Sequence, residues 1–269
     1  MSEKRLITLT TNWGYRDADV AIFKAQLLTL NDALTVIDIS HEVRDYGAMQ
    51  AAFTISSAFK HFPDNTIHFI EIGNDENDSA YLLLVLSNQF FIARDNGTLS
   101  LLIDVNQNLS YKIFKTSINH QQASSNLRAD ILKFILNLST SPAFAQSLTA
   151  TNFKIQKKFP GLSIDQYSLK GNVIHINQFG NIITNISKNE FLKFVGDKKF
   201  VVNLGRGMDV EVMVLYPEQA SPGDLFGYFN QEGLLELGLR DAPLGGIPNK
   251  SLGGLTINDR VFVNIDTEI

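Results

Sequence analysis

Residues 6–41, LITLTTNWGYRDADVAIFKAQLLTLNDALTVIDISH, decide the fold. Leu6–Thr11 is a short β-prone run that ends in polar residues. From Asp17 to Leu30, apolar Val20, Phe23, Leu27 and Leu30 recur at helical spacing, and Leu34–Ile39 reads as a second strand. Working outward, Met49–Phe59 predicts a helix that offers Phe53, Ile55, Ala58 and Phe59 to a core, and Thr66–Ile72 a third strand. The order β-α-β-α-β predicts parallel strands joined by crossover helices, with ligands taken beyond the carboxyl ends of the strands. Leu82–Leu86 and Phe90–Ala93 then form a hairpin, and Arg128–Leu138 is the last strong helical segment.

From Lys154 the character changes. Phe159-Pro160-Gly161 and Lys170-Gly171-Asn172 punctuate the chain, and the later apolar runs are short, β-branched and bounded by turns. Strands are expected at Val173–Ile176, Ile182–Ile186, Lys199–Asn203, Val210–Leu215, Leu225–Phe229, Leu234–Leu239 and Val261–Ile265. The expectation is an α/β domain with a central, mainly parallel sheet over residues 1–160 and an antiparallel β domain over 168–269. A chain of 269 residues that is 44% hydrophobic has the material for two cores.

Composition narrows the partners. Twenty-three basic and 28 acidic residues give a net charge of −5, with no cationic run for nucleic acid or anionic lipid. No cysteine is present, so disulfides, thiolate metal sites and thiol nucleophiles are excluded. The first residues run straight into a strand-like segment without an apolar signal core, and a cytoplasmic location is expected. The five histidines show no paired spacing, so neither a metal nor a cofactor is expected.

Three short motifs each allow two readings. Thr10-Thr11-Asn12-Trp13-Gly14 follows the first strand, where amides and a permissive glycine can grip a sugar or carboxylate. An ordinary strand-to-helix loop, with Trp13 in the core, is the alternative. Asp95-Asn96-Gly97 is a turn signature that turn chemistry alone explains. Phe179-Gly180-Asn181 lies between β-prone stretches, where an aromatic face and an amide can hold a purine, or where a hairpin can bury its phenylalanine. His68, flanked by apolar neighbours in a strand, reads as a hydrogen-bonded structural side chain.

Taken in order, these pieces resemble the S-adenosylmethionine hydroxide adenosyltransferase, chlorinase and fluorinase family. Thr8 to Gly14 looks like its opening loop, with Asp17 and Lys24 in register, and Val36 to Glu42 like its second strand. Asp95 to Ser100, Asn177 to Ile186, and Asn230-x-x-Gly233-Leu234-Leu235-Glu236 continue the match. The resemblance implies a barrel-like C-terminal domain and a homotrimer that binds S-adenosylmethionine or adenosine between subunits. It places Asn12 and Tyr46 at the ribose, with Trp13 in the same loop, Phe179 and Tyr216 around adenine, and Asn181 at the base edge. Asp17 and Asn177 fall where methionine is bound, with Gln231 and Glu232 in the neighbouring stretch.

The departures fall at the reactive end. In hydrolytic members an aspartate, an arginine and a histidine prepare water. By the same resemblance their places are taken by Gly73, the loop Asn74–Ala80 without arginine, and the vicinity of Leu127. Asp75 or Asp78 as carboxylate and Arg128 as cation are the available surrogates. Asn12 in place of aspartate replaces a charged acceptor, worth about 1.5–3 kcal/mol, by a neutral one worth about 1 kcal/mol, so ribose is expected to bind more weakly. A binding protein without turnover and a purely structural trimer stand beside the enzyme.

Overall fold

The computed structural model describes residues 5–43, 47–73, 80–118, 124–205, 207–244 and 254–265, with 124 and 125 described by backbone only. The chain divides into two units, Met1–Lys158 and Phe159–Ile269.

The first unit runs β1 (Arg5–Thr11), α1 (Asp19–Leu30), β2 (Leu34–Ser40), α2 (Ala48–Phe59), β3 (Ile67–Glu71), β4 (Tyr81–Leu86), β5 (Gln89–Arg94), α3 (Thr98–Val105), β6 (Tyr111–Lys115) and α4 (Ser124–Thr140). Its six strands lie in the order β2-β1-β3-β5-β4-β6. The first four are mutually parallel, and β4 is antiparallel to both β5 and β6. Strand β4, Tyr-Leu-Leu-Leu-Val-Leu, is apolar throughout because both faces are covered. Tyr81 and Leu83 join the core under α1 and α4 with Phe23, Leu27, Phe134 and Ile135. Leu82, Leu84 and Leu86 enter the opposite core with Ile55 and Phe59 of α2 and Leu99 and Leu102 of α3. The predicted hairpin is present. Its two turn residues, Ser87 and Asn88, both take positive φ (48° and 59°), the twist that suits a two-residue connection.

The sequence reading missed α3 and β6. Gly97, at φ 96°, opens α3, and Asn96 Oδ1 accepts from Thr98 N and Oγ1, so the expected turn is also a helix start. Thr98 to Leu102 are all buried, which leaves no polar stripe to betray a helical period.

His68 is buried and fully bonded. Its Nε2 meets Gln89 Oε1 at 2.6 Å, while the Gln89 amide nitrogen donates to Phe59 O and Phe62 O. The histidine therefore donates from Nε2, and Nδ1 accepts from the Thr8 hydroxyl at 2.7 Å. Burial holds its pKa down at about 4.

The second unit contains β7 (Ser163–Ile164), β8 (Ser168–Ile176), β9 (Ile182–Ser187), α5 (Lys188–Val195), β10 (Phe200–Asn203), β11 (Asp209–Val210), β12 (Val212–Met213), β13 (Leu225–Phe229), β14 (Leu234–Leu239) and β15 (Arg260–Ile265). The strand path is β11-β10-β15-β8-β9-β14-β13-β12, with β7 added to β8. The expected single strand at 210–215 is broken into β11 and β12, which sit at opposite ends of this path yet are separated by Glu211 alone. The sheet must curl until its ends nearly meet, which makes the unit barrel-like. Strand β8 turns a corner to help: residues 168–172 pair with β15, whereas Val173 to Ile176 pair with β9. Leu169, Val173, Ile186, Val202, Leu235 and Val263 fill the interior. The β unit also carries α5, whose start is a capping box: Ser187 Oγ accepts from Glu190 N, and Glu190 reaches back to Ser187 N.

Candidate functional site

Six residues singled out from the sequence, Asn177, Phe179, Asn181, Tyr216, Gln231 and Glu232, line one cavity of about 860 Å³ in the second unit. Phe179 stands on the turn between β8 and β9, 69% exposed, and Tyr216 stands just before a 3₁₀ turn at Pro217–Gln219, 65% exposed. Gln231 and Glu232 lie on the turn between β13 and β14. Exposed aromatic faces above a polar floor suit a flat heterocycle.

The floor is organised by a residue the sequence reading used only as part of a motif. Glu236 of β14 is 3% exposed. Its Oε1 accepts from Asn177 Nδ2 (2.9 Å) and Asn181 Nδ2 (3.0 Å), and its Oε2 from Asn230 Nδ2 (3.2 Å). Tyr228, on β13, has its pKa raised by burial and then by the Glu236 carboxylate. Asn177 is consumed in its own turn, since Oδ1 accepts from Phe179 N and Asn181 N. Asn230 does the same for its turn by accepting from Leu234 N. The signal for Glu236 was a lone carboxylate inside an apolar run, between Leu235 and Leu237, which are both fully buried.

In the first unit, Asn12, Trp13 and Asp17 occupy the loop after β1. Asn12 N donates to Glu71 O (3.2 Å) and Gly14 N to His41 O (2.7 Å). The Trp13 ring meets Phe23 edge-on at 5.3 Å and packs against the core, while Asp17 is exposed. Beneath the loop, buried His41 shares a 2.7 Å hydrogen bond with Thr11 Oγ1, and its Nε2 lies 3.2 Å from Asp38 Oδ1. Asp38 also pairs with Lys24 at 2.9 Å. Burial opposes ionisation of Asp38, but Lys24 and His41 outweigh it and lower its pKa.

Arg128 is ion-paired to Asp19 at 2.9 Å and lies 5.9 Å from the Trp13 ring centroid. Tyr46, Asp75 and Asp78 lie outside the described residues. Two residues before Gly73 stands a group that sequence reasoning missed. At the carboxyl ends of β3 and β5, Glu71 accepts from Arg94 Nε (2.8 Å) and from the Tyr81 hydroxyl. The Arg94 guanidinium lies 4.9 Å from the Tyr81 ring centroid. Single residues at strand ends carry no pattern, so only strand register, parallel between β3 and β5 and antiparallel between β4 and β5, brings these together. Among the described residues no group of three or more His, Cys, Asp or Glu is placed to hold a metal. None of their helices is long and apolar enough to cross a membrane.

A mainly parallel α/β unit is followed by a barrel-like β unit that carries an aromatic-rimmed cavity. The chain belongs to the SAM hydroxide adenosyltransferase family, where SAM is S-adenosylmethionine: residues 7–136 match the family's N-terminal domain and residues 171–245 its C-terminal domain. It is 27% identical over 191 residues to (R)-S-adenosyl-L-methionine hydrolase of Methanocaldococcus jannaschii, a match that covers 69% of this chain and 68% of that one. The fold is similar to that of an uncharacterized conserved protein from Thermotoga maritima, with TM-score 0.79 and 20% identity over 96% of this chain and 99% of the other. A conserved hypothetical protein from Thermus thermophilus gives 0.71 and 17% over 97% and 100%.

Proposed function

We propose that this protein binds the adenosyl portion of S-adenosylmethionine, or adenosine itself, with the base in the cavity rimmed by Phe179 and Tyr216. The observation that carries the reading is the convergence of six residues, drawn from three separate sequence stretches, on that one cavity. The exposure of both rings in a single chain supports a homotrimer in which a neighbouring subunit completes the site. Asn12 and Asp17 of that neighbouring subunit then serve the ribose and methionine ends. Calorimetry of the full chain with adenosine and S-adenosylmethionine tests the binding, and light scattering tests the trimer. Absence of heat at millimolar ligand refutes the reading.

A second reading, turnover, is favoured by Glu71 and Arg94 at the carboxyl ends of β3 and β5, where open α/β sheets take their ligands. In that reaction water attacks the ribose 5′ carbon, the carbon–sulfur bond breaks, methionine leaves with the electron pair, and the water's proton passes to a carboxylate. The products are adenosine and methionine. Their appearance above a heat-killed control, abolished in Glu71→Gln, supports turnover by this route. A binding protein without turnover gives calorimetric heat and no product.

A further inference from the structure

We propose that Glu236 is a positioning residue that makes the cavity select 6-amino purines over 6-oxo purines, an inference that rests on the adenine reading above. A carboxylate only accepts hydrogen bonds, so any amide that faces it must present its NH2 group. Asn181 does so, with Nδ2 3.0 Å from Glu236 Oε1. The Asn181 carbonyl is thereby turned the other way. Its Oδ1 lies 2.6 Å from where a β-carbon on Gly238 would stand, beside the edge of the Phe226 ring, and both Asn181 and Phe226 line the cavity. Among the described residues no donor is bonded to this oxygen, although the side chain is 8% exposed. The site therefore holds one acceptor that is open to the cavity and whose direction is fixed from behind.

Adenine offers a donor at its 6-amino group and satisfies this oxygen. Hypoxanthine offers a carbonyl there, so two acceptors face each other and neither is bonded. The mismatch leaves a buried polar group unpaired, which corresponds to roughly 10- to 100-fold weaker binding. Without the fixed charge at position 236 the Asn181 amide is free to turn over and present its NH2 to a 6-oxo group instead. Asn177 and Asn230 donate to the same carboxylate, but their own carbonyls are held by backbone N–H groups, so Asn181 is the member left to face a ligand.

The test is calorimetric titration of the full chain with adenosine, purine riboside and inosine, on wild type and Glu236→Gln. Wild type is expected to bind in the order adenosine, purine riboside, inosine, with inosine roughly 10- to 100-fold weaker than adenosine. In Glu236→Gln that ratio is expected to fall to about threefold or less, because a glutamine accepts or donates. A role in stability alone weakens all three nucleosides together and leaves the ratio intact, which overturns the proposal. Should the variant not fold, wild type still decides: inosine binding as well as purine riboside overturns it. Failure of every nucleoside to bind removes the adenine reading itself. Binding without discrimination leaves that reading standing and refutes this one.

Discussion

Acid should destabilise the first unit through one side chain, His68. Folding buries the ring in its neutral form, with a pKa of about 4 against an ordinary 6.5. The unfolded chain therefore binds a proton that the folded chain rejects, so stability is lost as pH falls below 6.5 and the loss levels off below 4. At about 1.4 kcal/mol per pH unit, linkage gives a loss of about 2 kcal/mol by pH 5 and about 3 kcal/mol by pH 4. His68→Phe removes the titration while keeping a ring against Phe91, on which His68 is stacked at 4.5 Å. The variant leaves the Thr8 hydroxyl and Gln89 Oε1 without their partner, at a cost of about 2–4 kcal/mol at pH 7. Urea unfolding followed by tryptophan fluorescence reads the correct unit, because Trp13 is the chain's single tryptophan and lies 6.4 Å from Phe69. The stability gap between wild type and variant is expected to narrow by about 2 kcal/mol between pH 7 and pH 5. A constant gap refutes the burial argument.

Three further outcomes are expected. Phe179→Ala and Tyr216→Ala change thermal stability little, within about 0.5 kcal/mol, since both rings are mostly exposed. Each weakens adenosine binding by about 1–3 kcal/mol in the same calorimetric assay, the worth of a base–aromatic stack. Gly238→Ala puts a methyl group 2.6 Å from both Asn181 Oδ1 and Phe226 Cζ, so adenosine affinity should fall by about tenfold or more, and unchanged affinity counts against the placement of that amide. Arg94→Met strands the Glu71 carboxylate and should lower the urea midpoint by an amount equivalent to about 3 kcal/mol.

Most strands were legible because their patterns are local. The uninterrupted apolar run of β4 announces a strand covered on both faces, and the Phe23 and Leu27 spacing announces α1. Helix α3 was hidden by the burial of its first five residues, Thr98 to Leu102. Helix α5 was announced by Ser187-x-x-Glu190, a signal overlooked inside a region read as β. Asn177, Phe179 and Asn181 of the cavity were named through resemblance because they sit in one short contiguous motif, whereas Tyr216 was named by resemblance without one. Glu236 and the Glu71–Arg94–Tyr81 group were not, because their partners are supplied by strand register: Tyr228 pairs with Glu236 across β13 and β14, and Tyr81 with Arg94 across β4 and β5. Such pairings bring together residues that no spacing along the chain predicts.

The Glu236 carboxylate also fastens two hairpin turns to each other, the one at 177–181 and the one that begins at Asn230. Turns of this kind normally fluctuate, and ordering them is part of the entropic cost of association. Here that ordering is completed when the chain folds. A small molecule arriving at the cavity meets a rigid frame, so association should proceed in a single kinetic phase, with complexes differing mainly in how fast they dissociate.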